Sequence, residues 1–210
     1  MVAPVDRGIY LASRSPRRRE LLTQIGVRYH LLLFRERAGE GTEVNEDPLA
    51  GEAPDAYVER MARAKAELGW KRMQQRNLPH APVLAADTTV ALEGRIFGKP
   101  ADRADAAAML AQLSGRSHEV LTAISLTNGE RLESALSRSE VHFRTLTAQE
   151  IEEYVASGEA DDKAGAYAIQ GRAARFISEL RGSYSGVMGL PLYETARMLE
   201  GFAGRERRFP

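Results

Sequence analysis

The run Val83-Leu84-Ala85-Ala86-Asp87-Thr88-Thr89-Val90-Ala91-Leu92 reads as an apolar strand with one carboxylate at its centre. Any fold built around this strand must accommodate that charge. Stripping an ionised carboxylate of water without a partner costs several kcal/mol, so such a group is paired, metal-bound or catalytic. An Asp satisfied by a nearby Lys or Arg is the plain structural alternative, and a functional acid is the other.

Around this strand the chain alternates between helical and extended patterns, without repeats or low-complexity linkers. Ile9 to Ala12 predicts a short strand, Pro16 to Ile25 a helix ended by Gly26, and Tyr29 to Phe34 a second strand. A polar loop from Arg35 to Ala53 is long enough to cover a ligand. A long helix starts near Pro54, where the missing N–H does no harm. Glu93-Gly94 turns the Asp87 strand into a short partner ending near Lys99-Pro100. Asp102 is placed to cap a helix with core face Ala106, Met109, Leu110 and Leu113, ended by Gly115. His118 to Leu146 reads as two strands turned by Asn128-Gly129. Thr147 and Glu150 have capping-box spacing, with Gly158 beyond their helix. A Gly-rich run from Lys163 to Gly189 holds one strand near Phe176-Ile177, Pro191 opens a last helix, and Arg205 to Pro210 reads as a frayed tail. Strands outnumber crossovers, which predicts an α/β fold with a mixed central sheet flanked by helices.

Composition removes several function classes. Lys+Arg and Asp+Glu both number 29, so no global field draws the chain to nucleic acid or an anionic membrane. Basic residues interleaved with aromatics are lacking too, which argues against nucleic-acid binding. The absence of cysteine excludes disulfides, thiolate zinc sites and cysteine nucleophiles. No apolar run has membrane-spanning length and the N-terminus lacks a signal-peptide core, so a cytoplasmic protein is expected. At 210 residues the chain suits one domain, with two lobes around a cleft. A homodimer stays open, because Tyr154, Tyr167, Tyr184 and Phe202 suit either an interface or the core.

Positive charge concentrates at the first turn, Ser13-Arg14-Ser15-Pro16-Arg17-Arg18-Arg19. Ser15 is the expected N-cap and Pro16 the first helical residue. Three arginines at a helix start oppose its dipole, which suggests that an anion completes the site. A solvated arginine run is the plainer alternative. On the long helix, Val58, Met61, Ala62, Lys65 and Leu68 share a face, so Lys65 interrupts an apolar stripe. It either snorkels to water or reaches into a cleft. Lys99, stiffened by Pro100, stands at an exposed turn. The Arg turn, both lysines and Asp87 together form a candidate polyphosphate site containing an acid.

Six blocks then resemble the Maf family of nucleotide pyrophosphatases, in the family's order and over nearly the whole chain. They are Leu11 to Arg18, Ala86-Asp87-Thr88, Gly98-Lys99-Pro100, Leu113-Ser114-Gly115, Asp162 to Tyr167 with Ile169-Gln170-Gly171, and Gly189-Leu190-Pro191. The resemblance implies hydrolysis of a nucleoside triphosphate to the monophosphate and pyrophosphate with a divalent cation, Mg²⁺ or Mn²⁺. It matches the general base to Asp87 and a metal or water partner to Glu46, with Glu43 and Asp47 as neighbouring alternatives. It matches phosphate-holding positions to Ser13, Arg18, Lys65 and Lys99. Subgroup positions correspond to Arg17, Thr88 and Gln170, a combination similar to the branch acting on dTTP and UTP. A Gln amide offers the donor and acceptor that suit a pyrimidine carbonyl beside an N–H. For Gln170, bonding to its own turn is the structural alternative. The implied chemistry is in-line attack of water on the α-phosphorus, with Asp87 taking the proton or holding a hydrated metal while Arg18, Lys65 and Lys99 stabilise leaving pyrophosphate. Two other readings are a nucleotide-binding regulator of division with little turnover, and the same chemistry on 7-methyl-GTP.

Overall fold

The computed structural model describes residues 8–33 and 44–202. Phe34, Glu43, most of the Arg35 to Ala53 loop's first half, and the tail from Arg205 lie outside those residues. The elements, in chain order, are β1 (Ile9–Leu11), α1 (Pro16–Gln24), β2 (Tyr29–Leu31), α2 (Pro54–Gln75), β3 (Val83–Leu92), β4 (Arg95–Phe97) and α3 (Arg103–Leu113). There follow β5 (Ser117–Thr127), β6 (Leu132–Phe143), α4 (Ala148–Ala156), two 3₁₀ turns at Ala164–Ala166 and Arg172–Phe176, β7 (Ile177–Arg181), α5 (Tyr184–Met188) and α6 (Leu192–Phe202). Among the described residues they build one mixed sheet in the order β2-β1-β3-β5-β6-β7, with β4 paired to β3. The β2-β1-β3 portion is parallel and the remainder antiparallel. The α/β expectation holds.

β3 is central, and its alternation of side chains decides what each helix covers. Val83 and Ala85 pack with Ala66 and Met73 of α2, and Ala91 with Val58 and Ala62. Leu84 and Ala86 face the other way, against Leu21 and Leu22 of α1 and Met198 and Leu199 of α6. Period two therefore sends Asp87 toward α2 and Thr88 toward α1 and α5. The core stripe of α2 runs through Val58, Met61, Ala62, Ala66, Gly69 and Met73, so Leu68 lies at its margin and Lys65 beside it.

Local signals explain most boundaries. Asp102 accepts from the Asp105 N–H at 2.8 Å, and Thr147 with Glu150 closes the capping box. The β5–β6 connection spans four residues, because Asn128 Oδ1 accepts from both Glu130 and Arg131 N–H and widens the Asn-Gly turn. Gly129 is needed there twice over: its φ is +90°, and a Cβ would lie 2.4 Å from the Trp70 ring. Two differences stand out. Ser15 occupies the N-cap position but its hydroxyl caps nothing; instead the Ser13 Oγ accepts from Ser15 N–H at 3.2 Å. The short α5 was not expected, since a five-residue segment containing Ser185 and Gly186 carries no helical period. Tyr154 and Tyr167 are buried in the core, Phe202 packs under the Arg131 guanidinium, and Tyr184 is exposed.

His118 is buried in an aromatic cluster with Phe143 and Tyr167, and shares a 2.9 Å hydrogen bond with the Tyr167 hydroxyl. Burial pushes its pKa down to about 4. Between that value and the ordinary value of 6.5, the unfolded chain binds a proton that the folded chain does not. Stability therefore falls as pH drops through this window, by about 3 kcal/mol in all. Chemical denaturation at pH 7 and pH 4.5 checks this. In His118→Phe, the part of the pH dependence owed to this group should vanish.

Candidate active site

β1 ends before β3 does. Ala12 N–H still donates to Leu84 O at 2.8 Å, but the Ala86 carbonyl beyond it has no β1 partner. Arg18 takes that carbonyl with Nη1 at 2.7 Å, and the site gathers at this uncovered edge of β3.

On the α2 face lies an acidic pair. Lys65 Nζ stands 2.6 Å from Asp87 Oδ1 and 2.8 Å from Glu46 Oε1, so one ammonium serves both carboxylates. Lys65 thus turns to these acids instead of snorkelling to water, and Glu46 is the loop acid brought to Asp87. Asp47 turns its N–H back on the Asn45 side chain. Burial works to raise the Glu46 carboxyl, but the Lys65 hydrogen bond and charge, with Lys99 and Arg18 behind, hold it below the ordinary carboxylate value. Lys99 is exposed at its turn, which is tied to the next part of the site by the Gly165 N–H donating to Gly98 O at 3.0 Å.

On the opposite face, Arg18 is spent largely on the protein. Its Nε donates to Gly189 O at 2.7 Å, its Nη1 to Ser13 Oγ at 3.2 Å and to Ala86 O, and its Nη2 to Thr88 Oγ1 at 3.3 Å. A guanidinium has about five N–H donors, so about one is left for a ligand. Thr122 donates to Gly186 O at 2.8 Å, so the 2.9 Å contact between Thr88 and Thr122 must use the Thr88 proton. Thr88 therefore offers a ligand only a lone pair. Arg17 is different: its Nε is buried and unpartnered among the described residues. Burial lowers its pKa, and it sits within electrostatic reach of Tyr154 and Lys163. Lys163, after α4, is likewise lowered by burial and by Arg17 and Lys99, with Asp162 and Asp161 opposing. Arg17, Lys99 and Lys163 make no ion pair among the described residues, and grouped cations of this kind suit an anion. Gln170 is exposed on its turn, and the bond to its own turn allowed by the sequence is not made.

Sequence reasoning missed how Glu46 is held. Arg60 of α2 grips Glu52 with Nε at 2.6 Å and Nη2 at 2.7 Å, and donates to the backbone oxygens of Asn45 and Asp47 at 3.5 and 3.1 Å. The Tyr57 hydroxyl donates to Glu46 O at 2.9 Å. The Arg60 hydrogen bonds pull Glu52 down to about 2. A depressed carboxylate keeps its contribution above its ordinary value of 4.5 and loses it only as pH falls through about 2. This clasp therefore survives mild acid. Arg60→Ala should lower kcat/KM about tenfold by loosening the acid's position, while circular dichroism and thermal melting stay near wild type. Nothing in the local sequence marks the clasp, since Arg60 and Glu52 belong to a helix and a loop with no shared period.

Among the described residues no group of three or more His, Cys, Asp or Glu could hold a metal. Two carboxylates sharing one cation nevertheless fit a hard divalent ion, which takes one or two carboxylates and completes its shell with water and substrate oxygens. Fold and site together define an α/β protein with an acidic pair sharing one ammonium on its central strand, with further cations grouped nearby. The chain belongs to the Maf-like protein family, whose profile matches residues 8–202. It is 62% identical over 201 residues to the dTTP/UTP pyrophosphatase of Aromatoleum aromaticum, covering 95% of this chain and 97% of that protein. Proteins of the same name from Nitrosomonas europaea and Nitrosospira multiformis are 54% and 58% identical, covering 95% and 96% of this chain and 97% of each of theirs. Among the described residues, no helix is long and apolar enough to cross a membrane.

Proposed function

We propose that this protein hydrolyses dTTP and UTP to the nucleoside monophosphate and pyrophosphate. The observation that carries the reading is the Glu46–Lys65–Asp87 contact, an acidic pair on one ammonium beside a cluster of unpaired cations. The names of the relatives supply the nucleotides.

Asp87 orients the attacking water and accepts its proton in line with the α-phosphorus. Glu46, kept ionised by Lys65 and Lys99, holds the other side of that water. Lys65 balances the two carboxylates, and Lys99 neutralises charge growing on the departing pyrophosphate. Ser13 and Arg18 brace the turn that carries Arg17, whose buried Nε is free for a phosphate oxygen. Mg²⁺ or Mn²⁺ bound by Glu46 and Asp87 would supply Lewis-acid stabilisation of the phosphoryl oxygens and a more acidic water. Thr88 and Gln170 face the base. A reader of the carbonyl and adjacent N–H accepts thymine and uracil alike, which explains tolerance of the 5-methyl group.

The test is pyrophosphate release from dTTP, UTP, CTP, GTP, ATP and 7-methyl-GTP, with Mg²⁺ or Mn²⁺ and with chelator. Chelator-sensitive release from dTTP and UTP above the others is expected. Preference for 7-methyl-GTP would overturn the substrate assignment, and binding without turnover would favour a regulator.

A further inference from the structure

The amide proposed to read the base stands on a short irregular turn, yet that turn is fastened at both ends. Ala168 N–H donates to the Tyr154 hydroxyl at 3.3 Å, and Gly171 N–H to Ala168 O at 3.0 Å. Beyond Gln170, Arg172 N–H donates to Glu159 Oε2 at 2.8 Å. The same carboxylate oxygen packs directly on Gly171, where a Cβ would lie only 2.2 Å from it. Glu159 also has the Arg172 guanidinium nearby, but at 3.9 Å and on a largely exposed side chain, which fixes little. Its strong contact is the charge-assisted bond to the backbone. Gln170 itself is exposed and without a hydrogen bond among the described residues.

We propose that Glu159 is a positioning residue for nucleobase selection: by gripping Gly171 and Arg172 it sets the direction of the Gln170 amide. An amide that must match a carbonyl and an N–H on one edge distinguishes uracil and thymine from cytosine only if it cannot turn over. A carboxylate locking the next two residues supplies that restraint without touching substrate. The proposal rests on the reading of Gln170 as the base contact.

The experiment compares kcat/KM for dTTP and CTP in the wild type, Glu159→Ala, Glu159→Gln, Gly171→Ala and Gln170→Ala, with inhibition by inorganic tripolyphosphate as the phosphate-end control. Glu159→Ala should raise KM for dTTP about tenfold and reduce the dTTP-over-CTP preference by a similar factor, with tripolyphosphate inhibition within about twofold of wild type. Glu159→Gln, whose amide oxygen still accepts from Arg172 N–H, should recover most of the preference. Gly171→Ala, which displaces the carboxylate from the other side, should reproduce the loss even where Glu159→Ala folds poorly. Unchanged preference in Glu159→Ala and Gly171→Ala, with Gln170→Ala impaired, overturns the proposal alone. Unchanged preference in Gln170→Ala overturns the base-reading role on which it rests.

Discussion

Asp87→Asn is expected to lower kcat about a thousandfold while leaving KM for dTTP within a few-fold of wild type. Asn matches Asp in size and keeps an oxygen for Lys65 Nζ, which now lies 2.6 Å from Oδ1. Lys65 also retains Glu46, so no charge is left unpartnered. The strand need not change either, since Asp87 pairs through its backbone with Ala123 of β5. What is lost is the basicity of one oxygen. Steady-state pyrophosphate release, with thermal melting as the control for folding, separates this chemical effect from any structural one. A loss of less than about tenfold would move the base elsewhere.

Arg18→Ala should behave in the opposite way, as a stability mutation first. The guanidinium joins the β1 turn at Ser13, β3 at Ala86 and Thr88, and the end of α5 at Gly189. Truncation strands two backbone oxygens and breaks the chain of hydroxyls running through Thr88 and Thr122. Loss of about 3 kcal/mol is expected, because charge-assisted partners are removed from partly buried acceptors. For a chain of this size that lowers Tm by about 10 °C. Arg18→Lys should recover only part of it, since one ammonium cannot span these directions. Differential scanning calorimetry checks both variants. A melting temperature unchanged in Arg18→Ala would show that the guanidinium is held for the ligand and not for the fold.

These two residues also mark where the sequence is readable. Asp87 is conspicuous because it interrupts a continuous apolar run, a local pattern. The helices at Pro16, Pro54 and Thr147 announce themselves through Pro and capping chemistry within a few positions. Arg18 was visible only as charge. Its partners Ala86 and Gly189 lie 68 and 171 residues away, so its commitment to the fold is a property of topology. The residues alone did not single out Glu46 from Glu43 or Asp47, since an irregular loop has no period to mark one acid, and only the family resemblance pointed to it. The Tyr57–Arg60 clasp and the Glu159 contact are hidden for the same reason: each joins a loop to an element whose register sequence does not state. Lys65 shows the middle case. Its place beside an apolar stripe was legible, and its partners were not.

The central claim is attack of water on the α-phosphorus at Asp87, and isotope placement tests it most directly. Turnover of dTTP in ¹⁸O-labelled water, followed by ³¹P NMR, should put the label in dTMP and none in pyrophosphate. Label in pyrophosphate would mean attack on the β-phosphorus, and would contradict the role assigned here to the acidic pair.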